Sequence, residues 1–153
     1  MKLRLYQSSV LPTTIYAGET WKRTAAISNK LDVFHRRCLR TILGISWKDH
    51  ITNEELMKRA GMEDLRDIVS TRRRRFAGHV MRLPKERPAK IAMRWTPTEG
   101  RRKRGRPKTT WRKTFQEDLE EMGIDWNSAQ SAATDRSRWR ALVARCSSRS
   151  GRN

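Results

Sequence analysis

The sequence is poor in acid: its 153 residues hold 16 Asp and Glu against 35 Lys and Arg, a formal net charge of +19. It also lacks any apolar run near the ~20 residues that cross a bilayer. The N-terminus has neither the apolar stretch nor the small-residue cleavage site of a secretory signal. No amphipathic stretch joins a basic face to a clean apolar one, which argues against a membrane surface as partner. An intracellular, nuclear location is expected. Cysteine is scarce too. Cys38 and Cys146 are far apart and fall on the apolar sides of expected helices, so buried free thiols are expected rather than a disulfide. With His35, His50 and His79 they supply zinc-ligand types, yet no Cys-x-x-Cys exists and only His35 and Cys38 lie one helical turn apart. No metal, cofactor or small-molecule substrate is expected. Nor is there a nucleophile beside a base. The densest acidic cluster, Glu117-Asp118 with Glu120-Glu121, reads as a solvated helix face, with Glu117 four residues after Lys113 in position for a surface ion pair.

What is present is concentrated positive charge. Residues 1–70 hold 12 basic against 8 acidic side chains, whereas Arg72 to Lys113 holds 17 against 2. Clustering of this kind marks a binding surface better than total charge does. Its centre is Arg101, Arg102, Lys103, Arg104, Arg106 and Lys108, separated only by Gly105 and Pro107. Gly allows close approach of the backbone and Pro discourages helix, so an extended arm for a polyanion is expected. Nucleic acid suits it, because each phosphate neutralised releases condensed counterions. The Arg104-Gly105-Arg106-Pro107 core also matches the AT-hook, whose arginines lie in a narrow A·T minor groove. General phosphate contact, minor-groove reading, a nuclear-localisation signal and a solvated linker all remain open for it.

Apolar periodicity predicts an all-α chain. From Ile27, positions Leu31, Phe34, Cys38 and Ile42 recur at helical spacing until Gly44. Thr52 and Glu55 form a capping box for a helix over 53–60, ended by Gly61. A longer helix is expected from Asp64 to Leu83, stopped by Pro84, followed by a short basic segment at 89–95 and a loop at 96–108. Thr109 or Thr110 then caps a helix carrying Trp111, Phe115, Leu119 and Met122 to Gly123, and Asp125 caps one last helix through Trp139 to Cys146. Only Pro12–Tyr16 and Gly44–Trp47 favour strand, and neither has a turn-linked partner. The expected organisation is two small helical clusters: 1–95, the linker arm 96–108, a helical hairpin 109–146 and a disordered tail 147–153.

Arg72 to Arg75 sit on the long helix, where four residues fan through about 300°. With Phe76 defining the core side, Arg72 and Arg73 flank the apolar stripe while Arg74 and Arg75 point outward as phosphate contacts. Of the six tryptophans, Trp21, Trp47, Trp126 and Trp139 read as core anchors. Trp95 and Trp111 bracket the arm and are candidates for stacking on bases.

Four ordered stretches carry a resemblance. They are Tyr16-Ala17-Gly18-Glu19-Thr20-Trp21; Arg37-Cys38-Leu39-Arg40-Thr41-Ile42-Leu43-Gly44; Arg72 to Arg75 with Phe76-Ala77-Gly78-His79-Val80-Met81-Arg82; and Arg104-Gly105-Arg106-Pro107-Lys108 leading to Trp111. Asp135-Arg136-Ser137-Arg138-Trp139-Arg140 fits the same pattern. Together they resemble the C-terminal region of reverse transcriptases of non-LTR retrotransposons, from the end of the thumb onward. Ala17 and Gly18 depart from that family's Gly-Ser. The resemblance implies that the catalytic aspartate pair lies upstream, that Met1 opens a truncated copy or a fragmentary gene model, and that the chain holds RNA or DNA without polymerising. No adjacent Asp-Asp occurs here to bind two magnesium ions. An AT-hook-like architectural protein and a helical protein-interaction module are the alternatives.

Overall fold

The structure, a computed structural model, describes residues 1–95 and 110–150, the side chains of 147–150 excepted. It is all-α, with no strand among the described residues. The elements are α1 (Lys2–Leu5), α2 (Leu11–Thr14), α3 (Ala25–Leu43), α4 (Asn53–Ala60), α5 (Leu65–Arg82), α6 (Pro88–Arg94), α7 (Trp111–Met122), α8 (Trp126–Thr134) and α9 (Arg136–Ser150). A π-helical turn, Tyr6–Val10, joins α1 to α2.

Chain ends of the helices follow local chemistry. Thr24, Thr52 and Thr110 accept from the backbone N–H three residues on, and Gly44, Gly61 and Gly123 close α3, α4 and α7 in the left-handed conformation. At Thr52 only half of the expected capping box is used, because the Glu55 carboxylate accepts from Arg59 Nε at 2.9 Å instead. The strand-favouring run Pro12–Tyr16 is helical through Thr14. Leu11 and Ile15, one turn apart, are both buried there, and that burial overrides β propensity. The last helix is two. Asp135 breaks it, and its carboxylate accepts from the Ser137 hydroxyl and from the N–H groups of Ser137 and Arg138 to start α9. These bonds hold its carboxyl below the usual range, the Ser137 hydroxyl contributing most. Ala17, where the resembled pattern has Gly, adopts φ 53°, a left-handed conformation unfavourable for a side chain.

Two buried apolar clusters form, and both draw on α5. Leu65 and Val69 pack with Tyr6, Leu11, Ile15, Leu39 and Leu56. Ala77, Val80 and Met81, further along, pack with Phe115, Leu119, Trp139 and Val143. The division therefore runs through the middle of α5, and α7 to α9 pack directly on it rather than forming a hairpin apart. Cys146 is a buried free thiol, and Cys38 is free and half-buried. No helix among the described residues is long and apolar enough to cross a membrane.

Helices α5 and α9 approach closely at Gly78. Gly78 lies against the buried Trp139, whose Nε1 donates to the Arg74 carbonyl at 3.0 Å. A Cβ on residue 78 would stand 2.6 Å from two atoms of that indole. Gly78→Ala should therefore lower stability by about 1–3 kcal/mol in urea unfolding; an unchanged midpoint would refute this packing.

A second consequence concerns pH. His35 is buried, and its Nδ1 sits 2.8 Å from the Tyr6 hydroxyl. Burial pushes the His35 pKa below its ordinary 6.5, outweighing the opposite pull of Asp64 and Asp32, and burial also lifts the Tyr6 phenol to about 12. The unfolded chain then takes up the His35 proton first. Stability present above the unfolded pKa is lost as pH falls through the lower folded value. Asp32, raised chiefly by burial, acts with the opposite sign and in the carboxylate range. Thermal midpoints should drop between about pH 7.5 and 5.5, and His35→Gln should remove most of that drop. An equal drop in the variant would place its cause elsewhere.

Candidate nucleic-acid interface

The arginines of α5 divide by direction. Arg73 turns inward to the fully buried Asp118 of α7, donating from Nε at 2.5 Å and from Nη2 at 2.9 Å. Arg74 is buried as well. It pairs with Glu121 and lies 3.6 Å from Asp118. The expected outward position of Arg74 is thus wrong, because Asp118 and Glu121, three residues apart on α7, draw two consecutive arginines to one side. The acidic cluster of α7 is correspondingly not a merely solvated face. Glu117 and Glu121 also receive Arg23, at 3.3 and 3.4 Å. Burial opposes the charge of Arg23, but Glu121, Asp118 and Glu117 together outweigh it and raise its pKa. Glu117 therefore meets Arg23, a distant residue, in place of the ion pair expected with Lys113.

Arg75 faces the other way and is exposed. Beyond it on α5, at one-turn intervals, come His79 and Arg82, and across from them on α9 stand Arg136 and Arg140. These side chains line a groove of about 660 Å³ floored by Trp139. Among the described residues no carboxylate lies within ion-pair distance of Arg75, Arg82, Arg136 or Arg140. Arg82 donates to the Ala133 carbonyl at 3.0 Å, which holds its side chain along the groove wall. Burial, then the like charges of Arg136 and Arg140, push the Arg82 pKa down. Sequence reading missed His79, Arg82, Arg136 and Arg140 as a set. The available signal was their spacing, 75/79/82 and 136/140, which puts each group on one helix face.

The other candidates separate. Trp111 is half-buried, stacked on Phe115 at 5.3 Å, and its Nε1 donates to the Glu19 carbonyl at 2.8 Å, so its indole is engaged in the fold. Trp95 is 65% exposed at the end of α6 and keeps a free face. Trp47, expected in the core, is 79% exposed. It lies on a short 3-10 turn, Trp47–Asp49, whose Ser46 and Asp49 cap each other, so local bonds rather than burial hold that turn. Arg101, Arg102, Lys103, Arg104, Arg106 and Lys108 lie outside the described residues. The flanks of their segment meet, because Arg112 Nη1 donates to the Arg94 carbonyl at 3.3 Å. Arg112 also lies over the Trp126 ring, 5.4 Å from its centre. Among the described residues no three His, Cys, Asp or Glu side chains are grouped to hold a metal ion.

Among curated proteins the chain is similar to a putative uncharacterized transposon-derived protein of Caenorhabditis elegans, at 24% identity over 155 residues. Its origin is transposon-related. The match takes in 95% of this chain and 54% of the relative, so this transposon-related chain spans about half the length of the curated relative it matches. No family model matches it, and no solved structure does.

The sorting of arginines makes a direct contrast between neighbours. Arg74→Ser removes a buried guanidinium from between Asp118, which keeps Arg73, and the half-exposed Glu121, which keeps Arg23, and should cost about 1–3 kcal/mol in urea unfolding. Arg75→Ser touches no such pair and should stay within about 0.5 kcal/mol of the unaltered protein. Equal effects at the two positions would contradict their opposite directions.

Proposed function

We propose that this chain is a non-catalytic, nucleic-acid-binding C-terminal portion of a retrotransposon reverse transcriptase that acts in the nucleus. It would hold template RNA or target DNA near the polymerase by phosphate contacts. The observation that supports this reading most is the way the carboxylates are engaged. Glu117, Asp118 and Glu121 are taken up by Arg23, Arg73 and Arg74 within the fold. Of the 17 basic residues between Arg72 and Lys113, Arg73 and Arg74 are thereby answered, and the other 15 have only Glu86 and Glu99 within that stretch to balance them. Such an excess is costly to hold together and is relieved by a polyanion. The fixed flanks at Arg94 and Arg112 support the reading too, since a segment leaving from an ordered base loses less freedom on binding. Trp95 at that base has an open face on which an unpaired base could stack.

The absence of an adjacent aspartate pair underlies the non-catalytic part of the proposal, because two-metal nucleotide transfer needs neighbouring carboxylates. Arg104-Gly105-Arg106-Pro107 favours one second reading, an AT-hook-like architectural DNA binder. The two readings part on sequence preference.

The test compares single-stranded RNA, a mixed duplex and an A·T-rich duplex across salt. Replacing Arg101, Arg102, Lys103, Arg104, Arg106 and Lys108 with Ser should weaken binding to all three. It should also flatten the salt dependence by about 0.9 per lost duplex contact, with circular dichroism little changed. An unaltered slope would remove the arm from the interface. Tight binding confined to the A·T duplex, lost in the Arg104→Ser and Arg106→Ser double variant, would favour the architectural reading. With primer, template, magnesium and nucleotides the chain alone should give no extension, and incorporation above a blank preparation would overturn that expectation.

A further inference from the structure

A second basic surface exists apart from the arm, and it is built rather than merely charged. Its two walls are regular helices. Arg75, His79 and Arg82 follow one another along α5 at four and three residues, and Arg136 and Arg140 occupy successive turns of α9. At 1.5 Å rise per residue the α5 row is about 10 Å long and the α9 pair about 6 Å apart along the axis. The spacing of the walls is fixed by the Gly78 and Trp139 contact, which holds α5 and α9 closer than any larger residue at 78 would allow. Neither wall can slide without opening that contact.

Several arginines elsewhere on the molecule are answered by acids. Arg23, Arg36, Arg59, Arg66, Arg73 and Arg74 each face a carboxylate. The groove gathers four guanidinium groups with no carboxylate in its lining among the described residues. Burial does most to lower the Arg82 pKa, and the like charges of Arg136 and Arg140 add to it. A concave site lined by one sign of charge focuses potential and attracts the opposite ion.

Resting on the nucleic-acid reading above, we propose that the groove between α5 and α9 seats the phosphate backbone of a double helix, contacted by Arg75, Arg82, Arg136 and Arg140. The floor decides for a duplex over a single strand. Trp139 is the indole of the groove, and it is 2% exposed with its Nε1 bonded to the Arg74 carbonyl. Unpaired bases would find only the small imidazole of His79 to stack on, whereas a duplex keeps its bases stacked internally and presents phosphates alone. Arginine forks suit phosphate oxygens, two N–H groups reaching one anion.

The test uses the full chain with its arm intact, a mixed-sequence DNA duplex and one of its single strands. Arg136 and Arg140 are exposed, so the Arg136→Ser and Arg140→Ser double variant should keep the circular dichroism and thermal midpoint of the unaltered chain. Its duplex affinity at ~0.1 M salt should fall about 10- to 100-fold and its salt slope by about two units, as expected for two lost phosphate contacts. The single strand should be affected much less. Arg136→Lys with Arg140→Lys should restore most of the affinity, because the charge is kept. Duplex binding unchanged in the serine variant would overturn the groove while leaving nucleic-acid binding itself intact. A loss that lysine does not rescue, or one equal on both probes, would overturn it as well. If the unaltered chain binds neither probe, the nucleic-acid reading fails and the groove proposal with it.

Discussion

Asp118 has no exposed surface, and everything around it is arranged so that its charge is answered. A carboxylate taken out of water loses several kcal/mol of solvation, and attraction to a partner returns this only when geometry is good. Here Arg73 supplies a two-pronged contact and Arg74 a second guanidinium. Any packing of α7 on α5 that shifted register would bury that charge unmatched. The pair therefore selects one arrangement by making its neighbours expensive. Arg23 extends the constraint to the N-terminal segment through Glu117 and Glu121, and its backbone N–H also donates to Thr114 at 3.0 Å.

That single constraint explains why α5 serves two apolar clusters. Ser70, Arg73 and Arg74 form a polar joint between Val69 on one side and Ala77 on the other. The consecutive arginines that looked like a uniform basic run do three different things. Two hold the joint, Arg72 is half-buried, and Arg75 is left facing α9. Helical geometry alone places the four at different angles, but which angle meets an acid depends on where α7 lies.

The same distinction marks how far the sequence could be read. Helix ends were legible, because Thr52, Gly61, Thr110 and Gly123 act on their own nearest neighbours. Apolar spacing likewise revealed the buried faces of α5 and α7, but on α3 the buried residues are Asp32, His35 and Leu39, while Ile27 and Phe34 of the expected stripe are exposed. What escaped were partnerships across long separations. The solvated reading of Glu117 to Glu121 failed because Arg23 and Arg73 lie far off in the chain. Trp47 misled because aromatic character says nothing about whether a neighbouring element arrives to cover it. Asp135 was readable in principle, since an Asp followed by Ser within an otherwise helical run can start a new helix as well as interrupt an old one. Of the candidate contacts, Arg75 and Trp95 keep free surface, while Arg74 and Trp111 are occupied by the fold.

The bond from Arg112 to the Arg94 carbonyl has an evolutionary side. It holds the end of α6 beside the start of α7, so the packing of those helices asks nothing of the number of residues between them. Closure entropy grows slowly, by only about 0.6 kcal/mol for each doubling of such a segment. Insertions, deletions and charge changes there can accumulate at little cost to folding.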